Sequence, residues 1–182
     1  MDRFSRVVLG YHGCDPQFAN ALISGEIEIN EWLPSRNSYD WLGHGIYFWE
    51  HGLRRALNWS GGRAEPGVVG AVIQLGTCLD LTDIHFTNLL GMQYDGLLET
   101  YVGEGRVLPR NWKGHQALDC LVINELVSTA EKSGTLFQTA RCPFLEGEPA
   151  FPSSGIRKNS HIQLSVIDKS CILGVFRPNR SF

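Results

Sequence analysis

DWLGHGIYFWE, Asp40 to Glu50, gathers two Trp, a Tyr, a Phe and an Ile around a Gly43-His44-Gly45 turn. Large rings need a flat partner or a core to lie in, and glycines let a backbone approach something closely. Ile46 onward, IYFWE reads as a short aromatic strand. The following HGLRRALNWSGG reads as a helix with Leu53, Ala56 and Leu57 on one face, stopped by Gly61 and Gly62. Upstream, RVVLGYHG gives a strand over Val7 to Tyr11 that ends at a glycine. Between these pieces, Asp15 is placed to cap a helix that opens with Pro16, carries Phe18, Ala21 and Leu22 at helical spacing and closes at Gly25.

Further along, GVVGAVIQLGTCLDL holds the most apolar strand, Val68 to Leu75, expected to be buried on both faces. TDIHFTNLLGMQYDGLLETYVGEG is helical with breaks. HQALDCLVINELVSTAEKSG predicts another helix, with Leu118, Leu121, Val122 and Leu126 as its apolar stripe. LFQTARCPF is a strand, LEGEPAFPSSGIRKN a long exposed loop, SHIQLSVID a strand and SCILGVFRP a last strand. In SHIQLSVID the alternation puts His161 and Gln163 on one face and Ile162 and Leu164 on the other. No repeat, linker or low-complexity tract interrupts the chain, so one mixed α+β domain over residues 1–182 is expected.

Composition bounds the function. The 182 residues suffice for a core without disulfide or metal staples. A net charge of −3 advertises no broad nucleic-acid surface. Five scattered cysteines, with no C-x-x-C and no zinc spacing, read as reduced thiols of a cytoplasmic protein. The apolar run after the N-terminus is too short for a signal peptide, and no membrane-length span occurs. No Walker sequence, Rossmann fingerprint or metal-ligand spacing of histidines is present, so no metal is expected. Pairing Cys14 with His115 or His161 as a protease is a weak signal.

YHG at a strand end, followed by G-x-G-I-Y-F and a helix, resembles the NAD-binding core of ADP-ribosyltransferases. The resemblance is to the His-Tyr-Glu branch, which includes diphtheria-toxin-like and poly(ADP-ribose)-polymerase-like enzymes. It covers roughly residues 7 to 60 and extends weakly to the strand at 160–167. It implies a split antiparallel β-sheet core with flanking helices, and NAD as co-substrate. By the same resemblance His12 would bond a ribose hydroxyl on the adenosine side, and Gly13 would pair through its main chain with the nicotinamide carboxamide. Tyr47 would stack on the nicotinamide ring, while Gly43 and Gly45 would shape the turn and Gly45 would let the dinucleotide pass.

The chain departs from that pattern at several places. The family's carboxamide-binding Ser and second Tyr on the helix fall at Arg55 and Asn58, leaving Trp59 as the ring for the opposite nicotinamide wall. The late strand carries no Glu. Gln163 is the expected third catalytic residue, with His161 beside it at the cofactor, and Glu148, Glu125 and Glu50 are the alternatives. The resemblance also associates a non-acidic third residue with single transfer and not chain elongation. The reading is therefore a mono-ADP-ribosyltransferase, a bacterial toxin or defence effector, whose acceptor the acidic balance draws towards protein over nucleic acid. Phe151, Arg157 and Lys158 of the loop before the late strand are candidates to meet that acceptor, and an antitoxin or immunity partner would restrain the activity. The competing readings are an NAD glycohydrolase and a catalytically silent NAD- or ADP-ribose-binding module. A structural interaction protein with an aromatic core is a further class.

Overall fold

A computed structural model describes residues 6–61 and 66–179. In chain order the elements are β1 (Val7–Cys14), α1 (Pro16–Ser24), β2 (Ile46–Glu50), α2 (Leu53–Ser60), β3 (Gly67–Gln74) and β4 (Cys78–Asp80). There follow α3 (Ile84–Gly103), β5 (Asn111–Trp112), β6 (His115–Gln116), α4 (Ala117–Lys132), β7 (Thr139–Phe144), β8 (His161–Val166) and β9 (Ile172–Phe176). Seven strands form one sheet in the order β4-β7-β8-β2-β1-β3-β9, and β5 with β6 makes a separate hairpin. Every ladder is antiparallel except β4 with β7. The chain is thus one α+β domain, as its residue pattern implies.

Local chemistry explains the elements. The Asp15 side chain accepts from Gln17 N at the start of α1, Pro16 stands in its first turn, and Gly25 closes it in the left-handed region at φ 81°. Alternation along the strands then sorts the core. Ile46 and Phe48 of β2, with Leu164 and Val166 of β8, enter the layer shared with Val8, Trp32 and α1. Tyr47 and Trp49 leave the other face. There Tyr47 packs with Leu42, Leu79 and α4, and Trp49 with Leu53 and Ala56 of α2.

The ladder between β1 and β2 is short, with only Gly10↔Glu50 and Tyr11↔Trp49 as partners, whereas β1 pairs β3 along its whole length. The hydrogen-bonded sheet is continuous through this narrow join. The split core that the resemblance implies is therefore not seen among the described residues, where β1 and β2 are still joined by two partners.

Four expectations change. The apolar stretch after Val68 makes two strands, β3 and then β4, because Gly76 turns at φ 57° and Leu79 is fully buried beside β7. The breaks expected in 82–105 are absent: α3 runs unbroken for 20 residues from its Asp83 cap, and Gly91 and Gly96 face open space. The buried stripe of α4 is Cys120, Val122, Ile123 and Leu126, not one containing Leu118 and Leu121. The turn before β2 sets that rotation, since the Asn124 side chain accepts from His44 N and Cys120 Sγ reaches the Asn37 carbonyl. His115 and Gln116, expected to open α4, instead form β6 and pair with Asn111 and Trp112, so the helix starts at Ala117. Gly61 caps α2, and the second expected stop, Gly62, lies outside the described residues. No helix of the described residues is long and apolar enough to cross a membrane.

Gly45 is fixed by packing. A Cβ there would collide with the Ser165 hydroxyl and stand 2.9 Å from the Val166 carbonyl of β8. The close approach that requires this glycine is therefore to strand β8. Gly45→Ala is expected to cost about 1–3 kcal/mol by overpacking, read as a lower midpoint in urea unfolding at unchanged slope.

Candidate active site

Tyr47 is anchored at its tip. Its hydroxyl donates to the Gly43 carbonyl at 2.5 Å and accepts from Leu42 N at 2.8 Å. Burial drives the phenol well above its ordinary pKa, with the Leu42 N–H bond working the other way. The side chain is therefore no acid or base near neutrality, and what it offers a ligand is a ring held at a fixed angle.

His12 does not share that face. Val8, Gly10 and His12 alternate on β1, and a Cβ on Gly10 would meet Phe48 and Ile73 in the layer opposite Tyr47. The imidazole lies edge-on to Trp32 at 4.9 Å and near Phe48 at 5.8 Å. Its Nδ1 donates to the Tyr47 carbonyl at 2.7 Å, so the ring meets β2 where the ladder has ended. The two side chains leave opposite faces and are coupled through the main chain of Tyr47. Desolvation by burial lowers the His12 pKa, against that carbonyl bond, so the ring is neutral at pH 7 with its lone pair on Nε2.

Gly13 stands on the Tyr47 side. Its missing Cβ would lie 2.5 Å from the Ala56 carbonyl of α2 and 3.4 Å from Trp59 Cδ1. Leu9 O accepts from His51 N on the β2 edge, while Arg6 O accepts from Leu75 N on the β3 edge. Strand alternation then directs the N–H and C=O of Gly13 to the β2 edge, beyond the last ladder partner, Tyr11↔Trp49. Trp59 is 74% exposed and touches Trp49 at 5.7 Å between centroids, so it is a surface wall beside Gly13 and no core ring.

The third part lies on β8. Gln163 faces Trp49 across the ladder, and His161 follows on the same face. Four buried side-chain atoms among the described residues lack a hydrogen-bond partner: Trp49 Nε1, Arg55 Nε, His161 Nε2 and Gln163 Oε1. They are neighbours. Trp49 opposes Gln163, Arg55 stands on α2 one turn past Gly52, and Glu146 joins Arg55 to His161. Arg55 Nη2 donates to Glu146 Oε2 at 2.5 Å, and His161 Nδ1 lies 3.8 Å from the same oxygen. Two of the bare atoms are donors and two are acceptors, so the group that satisfies them both accepts and donates hydrogen bonds.

The other expected acids separate. Glu50 is committed on the opposite side, where Arg141 Nε and Nη2 grip both its oxygens at 2.5 and 3.0 Å, and it is removed as third residue. Glu148 is exposed, with its main-chain carbonyl accepting from Lys158 N. Glu125 sits half-buried on α4. The carboxylate that reaches the site is Glu146, which the pattern did not single out. Its only signal was a place two residues before Glu148 in the loop. Phe151 is exposed at the tip of that loop, with Arg157 and Lys158 on its returning arm. Compared with protein-family models, with curated proteins and with solved structures, the chain matches none.

Proposed function

We propose that the chain is a mono-ADP-ribosyltransferase with an ADP-ribosyltransferase-like fold of the His-Tyr-Glu branch, carrying Gln163 as a variant third residue. The reading is supported foremost by the four unpartnered polar atoms between β2, β8 and α2. A buried polar atom without a partner costs about 1–3 kcal/mol, and four in one place are best explained by a ligand that completes them. A ribose supplies a hydroxyl donor for Gln163 Oε1 and oxygen acceptors for Trp49 Nε1–H and Arg55 Nε–H, and His161 Nε2 is left to the hydroxyl that attacks beside it. Gly13 offers a main-chain donor and acceptor to a carboxamide, with Tyr47 and Trp59 as its walls. His12 lies on the other face, held at Nδ1 by the Tyr47 carbonyl. Its Nε2 therefore reaches an adenosine-ribose hydroxyl of the same dinucleotide only where that molecule passes the open end of the β1–β2 ladder. The chemistry asks for little covalent work by the protein: the C1′–nicotinamide bond breaks as the ring is held out of water and charge at C1′ is stabilised by Gln163. An acceptor held close then captures C1′.

The absence of a carboxylate on β8 favours one second reading, a silent NAD- or ADP-ribose-binding module. Following free nicotinamide after mixing with NAD, beside calorimetric NAD binding, separates the two: release with binding supports the transferase, binding alone the module. Neither signal would remove both. Trp59→Ala should weaken NAD binding by about 2–13-fold, the equivalent of 0.5–1.5 kcal/mol of ring contact. The exposure of Trp59 means the fold itself tolerates the change. Unchanged affinity would take Trp59 out of the site.

A further inference from the structure

Resting on that reading, we propose that His161 is the general base for the acceptor and that the acceptor is a hydroxyl group, with Glu146 as the residue that positions and supports the imidazole. The His161 side chain is only 3% exposed. Its Nδ1 lies 2.8 Å from the Asn159 carbonyl, which accepts only, so Nδ1 carries the hydrogen and the neutral ring has its lone pair on Nε2. That atom is buried without a partner, on the same sheet face as Gln163. Behind the ring, 3.8 Å from Nδ1, stands the Glu146 carboxylate, placed to stabilise an imidazolium once a proton arrives. From α2 the charged neighbour is Arg55. From β7 come the Phe144 ring at 5.8 Å and, opposite Gln163, the Cys142 thiol, which burial pushes up to about 11 and which is therefore neutral. Burial lowers the His161 pKa, the Asn159 bond and Glu146 oppose this, and Arg55 adds to it. The base is free at neutral pH.

In the step itself the C1′–nitrogen bond breaks and its electron pair leaves with nicotinamide. A lone pair of the hydroxyl oxygen forms the new bond to C1′. The hydroxyl proton passes to His161 Nε2 and from there to solvent. A carboxylate acceptor would carry no proton for this base to take, and a guanidinium must lose a proton before it has a lone pair to attack with. A neutral hydroxyl attacks with its own lone pair and becomes acidic as the bond to C1′ forms. A hydroxyl needs such a base and is matched to it.

Water is the simplest hydroxyl, so nicotinamide release from NAD in buffer, with ADP-ribose as the second product, is the assay. The expected result is an acid limb in kcat below about pH 6.5 for the parent chain. His161→Gln should lower kcat about 10²-fold at pH 8 with KM for NAD unchanged, and should abolish the limb. Glu146→Gln should move the limb to lower pH, because the carboxylate that raised the imidazole pKa is gone. A His161→Gln chain that keeps its rate and limb overturns the inference and leaves the transferase reading standing. A limb that stays in place in Glu146→Gln overturns the part given to Glu146. A parent chain that binds no NAD, or binds it without releasing nicotinamide, overturns the transferase reading and this inference with it.

Discussion

Arg141→Ala is expected to lower the folding free energy by about 3–5 kcal/mol, the cost of leaving a buried charge uncompensated. Arg141 is 8% exposed and lies between two carboxylates. Its Nε and Nη2 hold both oxygens of Glu50, and its Nη1 meets Asp80 at 3.1 and 3.2 Å. Asp80 has further support from Thr82 and from Arg6, whereas Arg141 is the cation that holds Glu50. These contacts join β2, β4 and β7 on the face away from Tyr47. Loss of the guanidinium strands Glu50 in an environment built for an ion pair.

Two controls make the expectation specific. Glu50→Leu with Arg141→Leu removes both members of the pair and should cost less than Arg141→Ala alone, since no unpaired charge remains between them. In the parent chain burial pushes the Asp80 carboxyl up, but the Thr82 bonds and Arg141 outweigh it and hold its pKa below 3.8. A depressed carboxylate contributes stability that is present above its unfolded value and lost as pH falls through the folded one. The parent chain should accordingly lose this contribution below about pH 3.8. An unfolding free energy for Arg141→Ala, extrapolated from urea, within about 1 kcal/mol of the parent's would refute the account.

What the chain declares about itself depends on how local the cause is. Asp15, Pro16 and Gly25 specify α1 through contacts within one turn, and the structure places that helix where the residues put it. The alternation of β8 is equally local, so Leu164 reaches the core while His161 and Gln163 face the other side. Of the expected stripe of α4, Val122 and Leu126 are buried, while Cys120 and Ile123 stand where Leu118 and Leu121 are expected, because distant partners, His44 and Asn37, that periodicity does not contain bond to this face. Breaks are expected in that segment, and glycine, which costs a helix about 1 kcal/mol each, stands at Gly91 and Gly96 within α3. The Asp83 cap and packing against α4 offset that cost, and α3 continues.

The candidate site divides along the same line. Gly13, Tyr47, Trp49 and Gln163 stand on strands, where the period of two fixes the face once the pairing is known. His12 could not be assigned a side relative to Tyr47 from spacing, because that depends on the β1–β2 register and on where the ladder ends. Glu146 and Arg55 meet across 91 residues, and a loop residue has no periodicity to announce it. The acid nearest the site was thus the one the pattern could least identify.

Gln163→Ala carries the largest expected effect on activity, a fall of about 10²–10³-fold in nicotinamide release, as for the loss of one preorganised transition-state partner. Gln163 Oε1 is buried, belongs to a residue that faces Trp49, and has no hydrogen-bond partner among the described residues. On the proposed reaction it accepts from the nicotinamide-ribose hydroxyl and turns the negative end of an amide dipole towards C1′, where positive charge grows. The ground state uses only the hydrogen bond, worth about 0.5–1.5 kcal/mol, so NAD affinity should fall no more than about tenfold. The charge term exists only in the transition state, so the larger part of the loss should appear in kcat, with KM moving no more than the hydrogen bond accounts for. Gln163→Glu tests the same physics in the other direction: a full negative charge in place of a dipole should raise the rate of release. Turnover untouched by Gln163→Ala would show that charge at C1′ is stabilised from elsewhere, and Glu146, the other acceptor group adjoining His161, would be the residue to replace next.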